Sequence, residues 1–106
     1  MPKYLVQASY TPEAWRAVIR EKASARRQAL QKLVESLEGR VEAIYFAFGE
    51  HDIVAIVELP DAVTAAGLGI TVAASGMIKS RTTALLSVEE VDRALEKKIN
   101  YRPPGG

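Results

Sequence analysis

The feature that most constrains this chain is the run Ile53-Val54-Ala55-Ile56-Val57, which carries no polar residue at either parity. Its β-branched residues fit a strand, and a strand sends successive side chains to opposite faces. A sheet covered on one side only alternates apolar with polar residues. Here Ile53, Ala55 and Val57 point one way while Val54 and Ile56 point the other. The preceding segment, Val41 to Phe48, behaves alike, with Tyr45 and Ala47 opposite to Ile44, Phe46 and Phe48. Gly49-Glu50-His51-Asp52 joins the two as the turn of a hairpin. Both faces of that hairpin ask for cover.

The remaining elements follow from caps and periodicity. Lys3 to Ser9 predicts a first strand, after which Thr11 caps a helix and Pro12 takes its first position. From Glu13 to Glu38, Trp15, Val18, Ile19, Leu30, Leu33, Val34 and Leu37 recur at helical spacing, and Gly39 is a natural stop. Pro60-Asp61 ends the third strand and caps a second helix, on which Ala62, Ala65, Ala66, Gly69, Ala73 and Gly76 form one stripe. Close packing along that stripe would account for Gly67 and Gly69, which cost helix propensity. Met77 to Leu86 is a fourth strand, and the capping box Ser87 to Glu90 opens a third helix to about Ile99. The order β-α-β-β-α-β with a terminal helix predicts an α+β, ferredoxin-like domain over residues 1–99, with both main helices on one face of an antiparallel sheet. Residues 100–106, with two prolines and two glycines, read as a flexible tail.

Two helices cover one face of such a sheet, so the other must be shielded by something else. The simplest cover is a second copy, giving a homodimer or higher oligomer with sheets face to face. The alternative is that the third helix folds back over the sheet. The net charge of +1 lacks the basic footprint of a nucleic-acid binder. No cysteine is present, which removes thiol nucleophiles, thiolate metal sites and disulfides. The first residues become strand-like too early for a signal peptide, and no apolar run approaches the roughly 20 residues of a membrane span. A cytoplasmic location, with neither nucleic acid nor membrane as partner, is the expectation.

The stretch "VEAIYFAFGEHDIVAIVELPD", flanked by "YLVQASYTPEAW", "ASARRQALQKLVESLEGRV" and "IKSRTTALLSVEEV", resembles the GYD-domain family across almost the whole chain. The family is named for a Gly-Tyr-Asp turn between two strands. Gly49 and Asp52 fill its first and last places, with Glu50-His51 between them; aligned on Asp52, His51 stands in the tyrosine place. The resemblance implies the dimeric α/β barrel type of ferredoxin-like fold and a sheet-to-sheet dimer, and it assigns no reaction.

His51 is the only side chain whose ordinary pKa lies near neutrality, so a general acid or base would be His51. The plainer reading is a hydrogen-bonded turn residue. A metal site there would need Glu50 and Asp52 as ligands, and neighbours in one turn rarely converge on one ion, so no metal site is expected.

Arg26 gives a sharper signal. In a continuous helix, Lys22 and Arg26 fall in the middle of the apolar stripe, and burying an unpaired cation is costly. Two arrangements answer this. A bend near Lys22 to Ser24, with Ser24 capping a second segment, would leave both exposed. A pocket between helix and sheet would let Arg26 meet an acidic ligand or a carboxylate, with Arg27 or Lys22 nearby. Candidate ligand contacts are Arg26, Tyr45, Gly49, Asp52 and Thr82. Tyr4, Tyr10 and Trp15 are core residues or cavity walls, and Lys79 and Arg81 either bind an anion or protect a sheet edge. No cofactor motif is present: Gly67-Leu68-Gly69 lies inside a helix and lacks a third glycine.

Three functional classes fit these residues. One is a small-molecule-binding homo-oligomer, with a pocket between the first helix and the sheet and a small anionic ligand. Another is a cofactor-independent enzyme on a small anionic substrate, with His51 as base and Arg26 as clamp. The last is a structural assembly unit with a solid core.

Overall fold

The computed structural model describes every residue from Met1 to Gly106. Strands β1 (Lys3–Tyr10), β2 (Arg40–Phe46), β3 (Ile53–Glu58) and β4 (Ile78–Leu85) form one sheet in the order β2-β3-β1-β4, with antiparallel pairing throughout. Helices α1 (Pro12–Glu21), α2 (Ala23–Ser36) and α3 (Ala62–Ala74) pack on one face, and α4 (Val88–Leu95) follows β4. This is the ferredoxin-like α+β plan, with its first helix in two pieces.

Register sorts the two faces of the sheet. Tyr4 aligns with Val57 and Ala84, Val6 with Ala55 and Thr82, and Ala8 with Ile53 and Ser80. This side meets the helices, where Tyr4, Val34, Ala55, Val57, Leu59 and Ala65 make the core. On the opposite side Leu5 aligns with Ile56 and Thr83, and Gln7 with Val54 and Arg81. No helix covers that second side. At its margin Lys3 Nζ donates to Glu42 Oε1 at 2.6 Å and Arg40 pairs with Glu58. The first contact raises the Lys3 pKa and lowers that of Glu42.

Thr11 starts α1 as expected: its Oγ1 accepts from the Ala14 N–H at 3.2 Å and donates to the Met77 carbonyl at 2.9 Å, tying helix to sheet. The helix breaks at Lys22, whose φ of 78° and ψ of 157° lie in a region costly for any residue with a Cβ. Ser24 is not the cap of α2. The break falls two residues before it, and α2 starts without a side-chain cap.

Its other end closes with two backbone bonds, Glu38 N–H to the Glu35 carbonyl and Gly39 N–H to the Val34 carbonyl, both 2.9 Å. The left-handed residue there is Glu38, at φ 63°, rather than Gly39. Gly39 is required for space: a Cβ on it would lie 2.3 Å from the Glu58 carbonyl oxygen.

Asp61 caps α3 by accepting from the Thr64 N–H at 2.8 Å, which holds its carboxyl below the ordinary value. Close packing does not explain the glycines of this helix, because a Cβ at Gly67 or Gly69 would meet nothing within 4 Å. Gly76 lies beyond the helix, at φ 70°.

The Ser87–Glu90 capping box forms as expected, with bonds of 2.9 and 3.0 Å, and lowers the Glu90 pKa. However, α4 stops at Leu95 rather than Ile99. Its last amides, on Glu96 and Lys97, bond three residues back, the tightening of a helix with no packing to extend it. The helix does not fold back over the sheet, since every one of its residues is exposed. The molecule is accordingly elongated, 57 × 32 × 24 Å, with a radius of gyration of 16.9 Å. A compact chain of this length has about 13 Å. No helix is long and apolar enough to cross a membrane.

Candidate functional site

A cleft opens between the bent α1–α2 pair, α3 and the helix-facing side of the sheet. Its inner chamber, about 70 Å³, is walled by Leu30, Val34, Ile53, Ala55, Leu68 and other aliphatic side chains, with Ser80 and Thr82 on its β4 side. That is room for roughly five water-sized groups. An outer chamber of about 360 Å³ adjoins it and is edged by Glu21, Lys22, Thr71 and Ser75. Tyr10, Arg26, Val72 and Ile78 line both, so the two mostly apolar chambers meet at Arg26, with Glu21 and Lys22 at the outer edge.

The break at Lys22 divides α1 from α2, and residues of both helices edge the outer chamber. Arg26, one turn into α2, is half-buried, and its Nε donates to Tyr10 Oη at 3.2 Å. The Tyr10 ring stands edge-on to Trp15 and Phe46, with centroids 5.2 and 6.3 Å away, which fixes the hydroxyl. No carboxylate pairs with Arg26, and its terminal guanidinium nitrogens make no hydrogen bond. The bend and the pocket coexist. A guanidinium in this position offers two parallel donors to a carboxylate or a similar planar anion.

The structure brings Arg26 and Thr82 together on this cleft and places the other expected residues elsewhere. Tyr45 is 71% exposed and projects from the uncovered side of the sheet, beside Val54. Gly49 sits at the hairpin tip with open space around it and an ordinary φ. Asp52 is occupied structurally: its Oδ2 accepts from the Tyr10 N–H at 2.8 Å, and its own N–H donates to the Ala8 carbonyl at 2.8 Å. His51 is half-buried in the turn, lines neither chamber and makes no hydrogen bond. No three His, Cys, Asp or Glu side chains gather closely enough to hold a metal ion.

Reading the sequence missed Ser80 and the α3 wall. Ser80 shares the parity of Thr82 on β4, so the strand period carried its signal; the wall from α3 depended on how that helix lies over the sheet.

The hairpin, the Asp61-capped helix and the β4–α4 junction fall in the order of a known family, and the model for the GYD domain matches residues 4–95. The chain belongs to the GYD-domain family. The matched segment runs from β1 to the last residue of α4, so the GYD domain includes both the cleft and the projecting helix. No curated protein and no solved structure matches the chain.

Proposed function

We propose that this GYD-domain protein is a small-molecule-binding homo-oligomer whose cleft between α1–α2 and the sheet takes a small anion with a short apolar part. The observation that carries this reading is the Arg26 guanidinium, held by Tyr10 where two mostly apolar chambers meet, with no carboxylate to answer it. A cation kept partly out of water without a partner is poor design for stability and good design for meeting an anion. Ser80 and Thr82 add hydroxyls that can orient the ligand at the sheet end. A solid assembly unit would have no use for such a chamber.

Association with a second copy is supported by surface area. The chain exposes 7855 Å², whereas a folded monomer of 11.6 kDa exposes about 5,800 Å². The surplus of about 2,000 Å² exceeds the roughly 800 Å² per partner of an ordinary interface. Half-buried Leu5, Val54, Ile56 and Leu85 with exposed Tyr45, on the uncovered side of the sheet, are one apolar part of that surface, and exposed residues from Leu86 to Tyr101 are another.

Arg26→Met is the test. It removes one hydrogen bond, worth about 1 kcal/mol, and relieves a partly desolvated charge, so stability should change by less than about 1 kcal/mol. Titration calorimetry with straight-chain carboxylates from butyrate to hexanoate should show affinity falling at least tenfold, in keeping with about 1.5–3 kcal/mol for a charged hydrogen bond. Arg26→Met with unchanged binding of every carboxylate would discard the anion site.

A further inference from the structure

A second surface on this chain has no partner. Helix α4 presents Val88, Val91 and Leu95 on one stripe, and Val88 and Leu95 are 75% and 78% exposed. Ile99 and Tyr101 beyond it are exposed as well. An isolated helix shorter than about 12–15 residues is marginal in water, and helices in proteins are held mostly by packing an apolar face. Eight residues with a complete capping box and every side chain exposed therefore describe a helix whose packing surface lies on another molecule.

Charge identifies that molecule. Residues 88–96 carry four carboxylates and one arginine. At 3.6 residues per turn, Glu89, Asp92 and Glu96 lie along one border of the apolar stripe. On the uncovered side of the sheet the cations are Lys3, Arg40, Lys79 and Arg81. Lys3 and Arg40 are already paired with Glu42 and Glu58, while Lys79 and Arg81 have no ion pair. The same chain thus carries an acidic apolar helix without a seat and a basic margin beside an apolar sheet face without a cover.

We propose that α4 is an exchanged arm: in the homodimer, each copy lays its Val88-Val91-Leu95 stripe along the margin of the partner's open sheet, with its acidic border facing Lys79 and Arg81 there. This rests on the homo-oligomer reading above and adds the contact that completes it. Two-fold symmetry uses both orphaned surfaces twice, and the surplus area is large enough for a sheet contact and two arms.

The test uses the full-length protein. Sedimentation at micromolar concentration should give a dimer, with hydrogen exchange slowed over residues 88–96. Val91→Asp with Leu95→Asp should weaken the dimer at least 100-fold and release that protection. Neither side chain supports the single chain, so the body should stay folded by circular dichroism. Lys79→Glu with Arg81→Glu should loosen the dimer as well, and Asp92→Lys with Glu96→Lys added to it should tighten it again. A double aspartate variant that dimerises like wild type, with freely exchanging arms in both, would overturn the arm and leave the sheet contact standing. The sheet contact fails separately if Ile56→Glu leaves the dimer intact, and a monomeric wild type overturns both.

Discussion

Replacing Gly39 with alanine adds one methyl group at the place where this fold has least room for it. The new Cβ would sit 2.3 Å from the Glu58 carbonyl oxygen, 2.9 Å from Leu59 Cδ2 and 3.0 Å from Val34 Cγ1. The nearest of these is backbone. It belongs to β3, which is hydrogen-bonded to β2 on one side and β1 on the other, so it cannot retreat alone. Leu59 and Val34 are both fully buried, which closes the other directions. Overpacking of a core costs about 1–3 kcal/mol, and a clash with central-strand backbone belongs at the top of that range. A loss of about 3 kcal/mol lowers the melting temperature of a domain this size by roughly 10–20 °C. Glu38→Gly is the matched control, because Glu38 holds the left-handed conformation at φ 63°. Relief of that strain, offset by the entropy of a freer unfolded chain, should leave Glu38→Gly neutral or up to about 1 kcal/mol more stable. Urea unfolding of both variants at one protein concentration measures the pair. If Gly39→Ala loses less than 1 kcal/mol while Glu38→Gly loses more, the close approach of α2 to β3 described here is wrong.

Thr11→Ala removes both an N-cap and a link to Met77, the residue before β4, and should cost about 1–2 kcal/mol, with Thr11→Ser recovering most of it in the same urea titration. Asp61 titrates below its ordinary value because the folded chain bonds its carboxylate. Its contribution is therefore present above the unfolded pKa and disappears as pH falls through the lower folded one. The melting-temperature gap between wild type and Asp61→Ala should narrow on acidification below about pH 4, and a gap that ignores pH would refute the assignment.

Much of the architecture was legible because it depends on local chemistry. Thr11-Pro12, Asp61 and the Ser87–Glu90 pair mark helix starts through side chains that reach their own backbone, and each stands where the structure has it. The two-faced apolar character of β3 was equally plain, since period two is a property of the strand itself. What could not be read depends on neighbours distant in sequence. Gly39 looked like an ordinary helix stop, yet its role is set by a carbonyl nineteen positions later. The glycines of α3 looked like packing devices, and only the tilt of that helix reveals the space beside them. At the cleft, Arg26 announced itself by sitting in the wrong stripe, whereas the tyrosine that holds it comes from β1 and carried no pattern. Asp52 looked available for a ligand; its bond to the Tyr10 amide spans forty-two positions and leaves no trace in the hairpin.

The break at Lys22 has a consequence for where hollow space comes from. An unbroken helix from Pro12 to Ser36 would run about 37 Å, against about 27 Å for an eight-residue strand. A rod that overshoots its platform must either hang over the rim or be cornered, and here it is cornered. The wedge left inside the corner is the outer chamber. A chain with the same strands and a rod short enough to lie flat would keep the topology and lose that antechamber.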